Sequence, residues 1–207
     1  LRVAILTGAG GTFCSGMDLK AFVSGEFPSV EGRGFAGLTE YRTTKPVIAA
    51  VEGYALAGGF ELAISCDLIV AANNSKFGIP EVKRGLAAAA GGLVKLPKQI
   101  PYHVAMELAL TGDFFSAERV YELGLVNRVC EAGEALEAAM ALARSIAANG
   151  PLAVAASLKT VSSAQDWSSE EMMARQQEIV GPVFTSEDAI EGATAFAQKR
   201  APVWKGK

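Results

Sequence analysis

Up to about residue 130, short apolar runs bounded by glycine alternate with stretches of helical periodicity. This alternation is typical of βα units, in which a mostly parallel sheet is covered by helices. It predicts strands at 1–7, 46–51, 67–72 and 125–129, and helices at 18–24, 34–42, 58–66, 102–110 and 116–123. After residue 133 the chain becomes alanine-rich with helical spacing. We therefore expect an α/β core at 1–133 and a helical region at 134–207.

Size and charge restrict the class of protein. A chain of 207 residues, 50% of them hydrophobic, can bury one substantial core. The formal net charge is -3, and the lysines and arginines are spread along the chain, so we expect no nucleic-acid partner. No apolar run reaches the ~18 residues that span a bilayer, and we expect a soluble, cytoplasmic protein. The chain opens at Leu1 inside a strand-like run, so we expect it to be part of a longer protein, whose N-terminus could carry a targeting segment.

Cysteine and histidine usage argues against several kinds of site. Cys14, Cys66 and Cys130 form an odd set without a short-spaced pair, which predicts buried, reduced thiols and neither a disulfide framework nor a metal site. His103 is the single histidine and lies in a helical pattern, and no serine stands in a nucleophile-elbow motif. Ser-His and Cys-His catalysis are therefore disfavoured.

Glycine-rich segments follow two of the predicted strands. The run GAGGTF (8–13) matches neither the dinucleotide-binding nor the Walker pattern, and it predicts a tight turn. Residues 13–19 and 53–62 each place glycine just before a predicted helix, where N–H groups lack intrahelical acceptors. Two converging donors would form an oxyanion hole. Close packing of a strand against a helix is the alternative explanation of either segment.

Two glutamates near these segments are candidate catalytic groups. Glu61 lies near the start of the predicted helix at 58–66, where a carboxylate also interacts favourably with the helix dipole. Glu81 follows Pro80, which favours presentation of its side chain from a turn. Taken singly, each is more simply explained as an ordinary carboxylate, because exposed glutamates are the usual case.

The sequence resembles the enoyl-CoA hydratase/isomerase (crotonase) family along nearly its whole length. The segments that carry the resemblance, in the family's order and spacing, are FCSGMDL (13–19), KPVIAAVEGYALAGGFEL (45–62), FGIPE (77–81), LTGD (110–113), GLVN (124–127) and AFAQKR (195–200). The resemblance implies a spiral of ββα units with a helical C-terminal region, and an N-terminal part of roughly 40 to 50 residues missing from this sequence. It also implies trimers or pairs of trimers formed through the C-terminal region, an acyl-CoA substrate and no separate cofactor.

Site residues follow from the same resemblance, position by position. It assigns the oxyanion-hole amides to Met17 and Gly58 and the two catalytic carboxylates to Glu61 and Glu81. Further positions would contact coenzyme A or substrate, namely Ser15, Asp18, Leu19, Phe196 and Lys199.

The paired carboxylates favour hydration of a 2-trans-enoyl-CoA to a 3-hydroxyacyl-CoA, in fatty-acid or related acyl-CoA breakdown. Alternatives are a double-bond isomerase on the same scaffold, which needs one base, and a non-catalytic acyl-CoA-binding protein. Two features depart from the family pattern. One is the bulky Phe60, and the other is the run of alanines at 87–90, a stretch in which many family members have a proline. We expect both to alter the acyl pocket.

Overall fold

The computed structural model describes all 207 residues and contains nine strands, nine α-helices and two short 3-10 helices. The strands are β1 (Ala4–Thr7), β2 (Ser29–Val30), β3 (Gly34–Phe35), β4 (Val47–Val51), β5 (Tyr54–Leu56), β6 (Leu68–Ala72), β7 (Lys76–Gly78), β8 (Phe115–Ser116) and β9 (Arg128–Cys130). The helices are α1 (Leu19–Val23), α2 (Gly58–Ala63), α3 (Gly92–Gln99), α4 (Tyr102–Thr111), α5 (Ala117–Glu122), α6 (Ala135–Ala147), α7 (Pro151–Ala164), α8 (Met172–Val180) and α9 (Glu187–Ala197). The 3-10 helices are Pro80–Arg84 and Gly181–Thr185.

The main sheet has the strand order β1-β4-β6-β9. Strand β6 pairs in parallel with β4 and with β9, with Ala50 opposite Val70 and Val70 opposite Arg128. All five residues of β4 are buried, which is the pattern of a strand covered on both faces. The strands predicted at 46–51, 67–72 and 125–129 overlap β4, β6 and β9, so the predicted parallel α/β arrangement is confirmed.

A smaller three-stranded sheet lies next to the loop after β1 and the start of α2. Strand β7 pairs in parallel with β5, with Ala55 opposite Phe77, and in antiparallel fashion with β8. Cys14 adds an isolated parallel bridge to Ala55 on the other side of β5. This sheet therefore links the loop after β1 to the start of α2, which directly follows β5.

The α/β unit comprises Ile5–Thr43 and Val47–Ala141 and holds one hydrophobic core. Phe60 and Phe77 are fully buried in this core, with an edge-to-face contact and ring centroids 5.5 Å apart. Burying a side chain of this size stabilises the fold by about 2 to 3 kcal/mol. Phe60 is thus a core residue whose side chain has no exposed surface, and its effect on the acyl pocket stays a prediction.

The other compact unit consists of Leu1–Ala4, Thr44–Pro46 and Leu142–Lys207. Its C-terminal tail is held by Asp188, whose carboxylate accepts hydrogen bonds from the amides of Lys205 (2.7 Å) and Gly206 (2.9 Å). The Trp204 indole donates to the Ala148 carbonyl oxygen at 2.7 Å. No single helix of the chain has the length and apolarity to cross a membrane, and α6 with α7 passes that test only as a bent pair.

The helix predicted at 34–42 is wrong. This segment contains the two-residue strand β3 followed by turns. Gly34, Ala36 and Gly37 have φ angles of 73°, 50° and 72°, and successive left-handed residues cannot continue a right-handed helix. Apolar residues at helical spacing gave a false signal here, because the glycines determine the backbone. Helix α3 and strands β5 and β7 were not predicted.

The three cysteines are free, as predicted, but they are only partly buried. Burial and the neighbouring carboxylate of Asp67 raise the pKa of the Cys66 thiol to about 12. This thiol is therefore protonated at neutral pH, and a metal-ligand or nucleophile role is disfavoured for it.

Candidate active site

The loop after β1 leaves the amide of Met17 without a protein acceptor. Cys14 is tied to β5, since its N–H donates to the Tyr54 carbonyl oxygen (2.9 Å) and its carbonyl oxygen accepts from Leu56 N–H (3.0 Å). The chain then turns at Gly16, whose φ is 95°, and Asp18 caps α1 by accepting a hydrogen bond from Lys20 N–H at 2.8 Å. The N–H of Met17, between these anchors, donates to no acceptor in the chain.

A second such amide begins α2. Ala57 has φ 52° and ψ −131°, a conformation that non-glycine residues adopt only when surrounding contacts enforce it. Here the Ala57 N–H donates to Gly78 and its carbonyl oxygen accepts from Phe60 N–H, both at 2.9 Å. Gly58 is the first residue of the helix, so its N–H has no intrahelical acceptor, and it donates to none elsewhere.

These two backbone segments lie against each other. A Cβ on Gly16 would lie 2.8 Å from Ala57 Cβ and 3.1 Å from Gly58 N. A Cβ on Gly59 would lie 2.0 Å from the Cys14 carbonyl oxygen. Glycine at both positions is what allows this approach, and it makes Met17 and Gly58 neighbours. Two free N–H groups on adjacent segments form a potential anion-binding site.

Glu61, in the same helix, is 3% exposed. Its Oε1 accepts a hydrogen bond from the Gly92 N–H at 2.8 Å. Burial raises the pKa of this carboxyl, although hydrogen bonds from the backbone of Gly92 and Ala90 and the positive charge of Lys95 oppose that rise. A glutamate in this setting can hold a proton at a pH where an exposed glutamate cannot.

Glu81 is presented by the 3-10 helix that starts at Pro80, where the fixed φ of proline suits the first position. Its Oε2 is buried and has no hydrogen-bond partner. Burial raises the pKa of the Glu81 carboxyl, and the charge of Glu61 raises it further. The two carboxyls therefore interact, and ionisation of one disfavours ionisation of the other.

The other predicted site residues lie in two places. Ser15, Asp18 and Leu19 are exposed, in the same loop and helix start as Met17. Phe196 and Lys199 lie at the end of α9 and just after it, in the C-terminal unit, and Phe196 is 87% exposed. Within the α/β unit, the loop of Met17 lies against the start of α2, which carries Gly58 and Glu61, and Glu81 lies near enough to Glu61 for their charges to interact. Contacts of the other five residues with coenzyme A stay a prediction.

The sequence does not indicate that two further side chains, Lys95 and Phe35, belong to this region. Lys95, in the unpredicted helix α3, donates hydrogen bonds to the Thr39 carbonyl oxygen (2.5 Å) and the Ser65 hydroxyl (2.6 Å). The Phe35 ring covers Gly58, because a Cβ there would lie 2.8 Å from the ring Cζ. No local pattern marks either residue, since both contacts join segments far apart in sequence.

Comparison with known proteins decides the family. The family model for enoyl-CoA hydratase/isomerase matches residues 1–207, the entire chain. The chain belongs to the enoyl-CoA hydratase/isomerase family. This confirms the resemblance that the sequence motifs indicate.

Solved structures of this family share the fold. An enoyl-CoA hydratase from Mycobacterium marinum is 62% identical with a TM-score of 0.97, over 100% of this chain and 82% of that one. An enoyl-CoA hydratase from Mycobacterium tuberculosis is 63% identical with the same TM-score and coverage. The predicted crotonase-type α/β fold is therefore confirmed.

Curated relatives within the enoyl-CoA hydratase/isomerase family carry a different name. The carnitinyl-CoA dehydratase of Proteus mirabilis is 44% identical over 215 residues, and that of Salmonella typhi is 46% identical over 215 residues. Each match covers 100% of this chain and 82% of the relative. The names of these relatives and structures describe addition of water to an acyl-CoA or its removal.

Proposed function

We propose that this member of the enoyl-CoA hydratase/isomerase family is a hydro-lyase that adds water reversibly across the double bond of a 2-trans-enoyl-CoA. The observation that carries the proposal is a pair of interacting carboxyls, the buried Glu61 and Glu81 with its buried Oε2, in the unit that also holds the free amides of Met17 and Gly58. A double-bond isomerase needs one proton-transferring base, whereas hydration needs one group for the water and one for the carbon.

In this proposal the Met17 and Gly58 amides bind the thioester oxygen. Hydrogen bonds to that oxygen draw electron density from the conjugated double bond, which makes the β-carbon electrophilic. As water adds, negative charge develops on the same oxygen, where the donors are already placed. Each such donor typically lowers the barrier by about 3 kcal/mol.

Glu61 takes a proton from the water while the water oxygen bonds to the β-carbon, and Glu81 delivers a proton to the α-carbon. Both transfers require one carboxyl to be ionised and the other protonated at the start, and the interaction within the pair favours that state. The Gly92 N–H holds Oε1 of Glu61, which orients the carboxylate. Proton exchange with solvent then restores the starting state.

The acyl group is the finer part of the proposal. The identity to carnitinyl-CoA dehydratases makes carnitinyl-CoA, dehydrated in the reverse direction, a specific alternative to an unbranched fatty enoyl-CoA. A panel of 2-trans-enoyl-CoA thioesters from short to long, assayed beside carnitinyl-CoA, distinguishes them. The preferred substrate is the one with the highest kcat/KM.

The reaction itself is tested by loss of the ultraviolet absorbance of the conjugated thioester. We expect Glu61→Gln and Glu81→Gln to lose hydration by at least about a hundredfold, because each removes one proton-transferring group. Circular dichroism controls for folding. A Glu61→Gln variant that hydrates at the wild-type rate would exclude the two-carboxylate mechanism. Conversion of a 3-enoyl-CoA without any hydration would favour the isomerase.

A further inference from the structure

Lys95 is a half-buried lysine that the hydration mechanism above does not use. Its ammonium donates to the Ser65 hydroxyl, and that hydroxyl donates in turn to the carbonyl oxygen of Glu61 at 2.5 Å. Helix α3 is thereby connected through Ser65 to the backbone of α2 at Glu61 itself. The hydroxyl can do both at once because it is an acceptor as well as a donor.

A second contact of Lys95 reaches Thr39, in the turns that follow β3 and its residue Phe35. The ammonium donates to the carbonyl oxygen of Thr39, which is 3% exposed, and the Thr39 hydroxyl oxygen accepts from the Phe35 N–H at 2.9 Å. The Phe35 ring then covers Gly58. One ammonium therefore holds the turn at Thr39 against the helix that bears Glu61.

The aliphatic part of Lys95 lies close to the backbone that donates a hydrogen bond to the Glu61 carboxylate. A Cβ on Gly91 would lie 3.1 Å from Lys95 Cε, so the side chain runs beneath the Gly91–Gly92 backbone. The Gly92 N–H is the donor that holds Glu61 Oε1. Lys95 thus contacts the turn at Thr39, Ser65 just after helix α2 and the backbone at Gly91.

Charge adds to this arrangement. Burial lowers the pKa of Lys95, whereas the charge of Glu61 raises it. Arg42 lowers that pKa as well, and the other ionisable groups that act on Lys95 are Cys66 and Glu40. Because the Cys66 thiol is protonated, Glu61 and Glu40 are the anions near this ammonium. The positive charge in turn favours the ionised form of Glu61.

We propose that Lys95 is a positioning residue, which fixes Glu61 and the turn at Thr39 in place through its hydrogen bonds to Ser65 and Thr39. The kinetic part of this inference rests on the proposed hydration. The geometric part stands on the contacts of Lys95 alone.

The test compares four variants of the whole chain. Lys95→Met removes the charge and both donors while keeping the stem, and Lys95→Arg keeps the charge. Ser65→Ala breaks the connection to Glu61 but leaves the ammonium. Lys98→Met is the matched control, because Lys98 is an exposed lysine of the same helix.

The first measurement is kcat and KM against pH for 2-trans-butenoyl-CoA. We expect Lys95→Met to lose roughly ten- to a hundredfold in kcat, as small misplacements of a reacting group do, with a smaller change in KM. Its acid limb should shift to higher pH, and Lys95→Arg should restore that limb. Ser65→Ala should lower kcat with the acid limb in place, and Lys98→Met should behave as wild type.

The second measurement does not need turnover. Carbon-13 NMR of labelled glutamate side chains, with Glu61 assigned by its absence in Glu61→Gln, follows the pKa of Glu61 directly. We expect Lys95→Met to raise that pKa. An unchanged pKa overturns the electrostatic role, and wild-type kcat in Ser65→Ala overturns the positioning role even if Lys95→Met does not fold. A wild type that is inactive against the whole panel of enoyl-CoA thioesters and carnitinyl-CoA would refute the proposed hydration, while the NMR titration still tests Lys95.

Discussion

Replacing Gly59 by alanine tests the close approach of the two segments that carry Met17 and Gly58. The new Cβ would lie 2.0 Å from the Cys14 carbonyl oxygen and 2.5 Å from the carbonyl carbon. Ordinary contacts begin at 3.4 Å, so the segments must separate by about 1.4 Å, the difference between the two distances. Cys14 cannot simply rotate away, because both of its backbone groups are bonded to β5.

A separation of this size should affect both catalysis and stability. Misplacement by about 1 Å can cost a hundredfold in rate, which is about 2.7 kcal/mol of barrier. Overpacking of a well-packed region typically costs about 1 to 3 kcal/mol of stability. We therefore expect folded Gly59→Ala protein with a lowered Tm and a kcat/KM at least about a hundredfold below wild type.

The assay is the initial rate of enoyl-CoA hydration, with Tm measured by circular dichroism. Gly150→Ala provides the control, because φ there is −59° and the new Cβ would lie 3.6 Å from the Trp204 ring, an ordinary contact. That control should retain wild-type kcat/KM. Wild-type kcat/KM in Gly59→Ala would refute the argument that the spacing of these two segments sets the rate.

Two further predictions concern pH. As the pH increases, we expect kcat/KM to rise when Glu61 loses its proton and to fall when Glu81 loses its own. The rise should occur above the ordinary pH range of a glutamic acid, because burial raises both pKa values. A kcat/KM that is already maximal near pH 4 would contradict this. Because the folded protein binds the Glu61 proton more tightly than the unfolded chain does, this carboxyl destabilises the fold above its raised pKa, and the cost vanishes below the ordinary value. In urea unfolding, the free energy of unfolding of Glu61→Gln should therefore increase relative to that of the wild type, by on the order of 1 kcal/mol, as the pH rises from acidic to alkaline. A difference that stays constant with pH would argue against a raised pKa.

Much of the α/β unit follows from local signals. The buried runs at β4 and β6 consist of β-branched and small apolar residues, and glycines mark where the chain leaves a strand. Such signals depend on neighbouring residues, so they can be read without a fold. The junctions at Gly16 and Gly58 were visible in the same way, although only family resemblance connected them with Glu61 and Glu81.

Where long-range contacts decide, the sequence predicted wrongly or not at all. Residues 34–42 have helical spacing of apolar groups, yet Gly34 and Gly37 adopt left-handed backbone angles and the segment forms turns. Phe60 stands between residues of the predicted site, but packing against Phe77 places it in the core.

By itself, then, the sequence determined the four strands of the main sheet, the family and the glycine junctions, because each depends on short segments with a recognisable pattern. The tertiary structure decided the burial of Glu61 and of one carboxyl oxygen of Glu81, and the contacts of Lys95. A raised pKa results from desolvation by residues distant in the chain, and the two hydrogen bonds of Lys95 reach Thr39 and Ser65, which are 56 and 30 residues away. Only folding brings such groups within hydrogen-bonding distance.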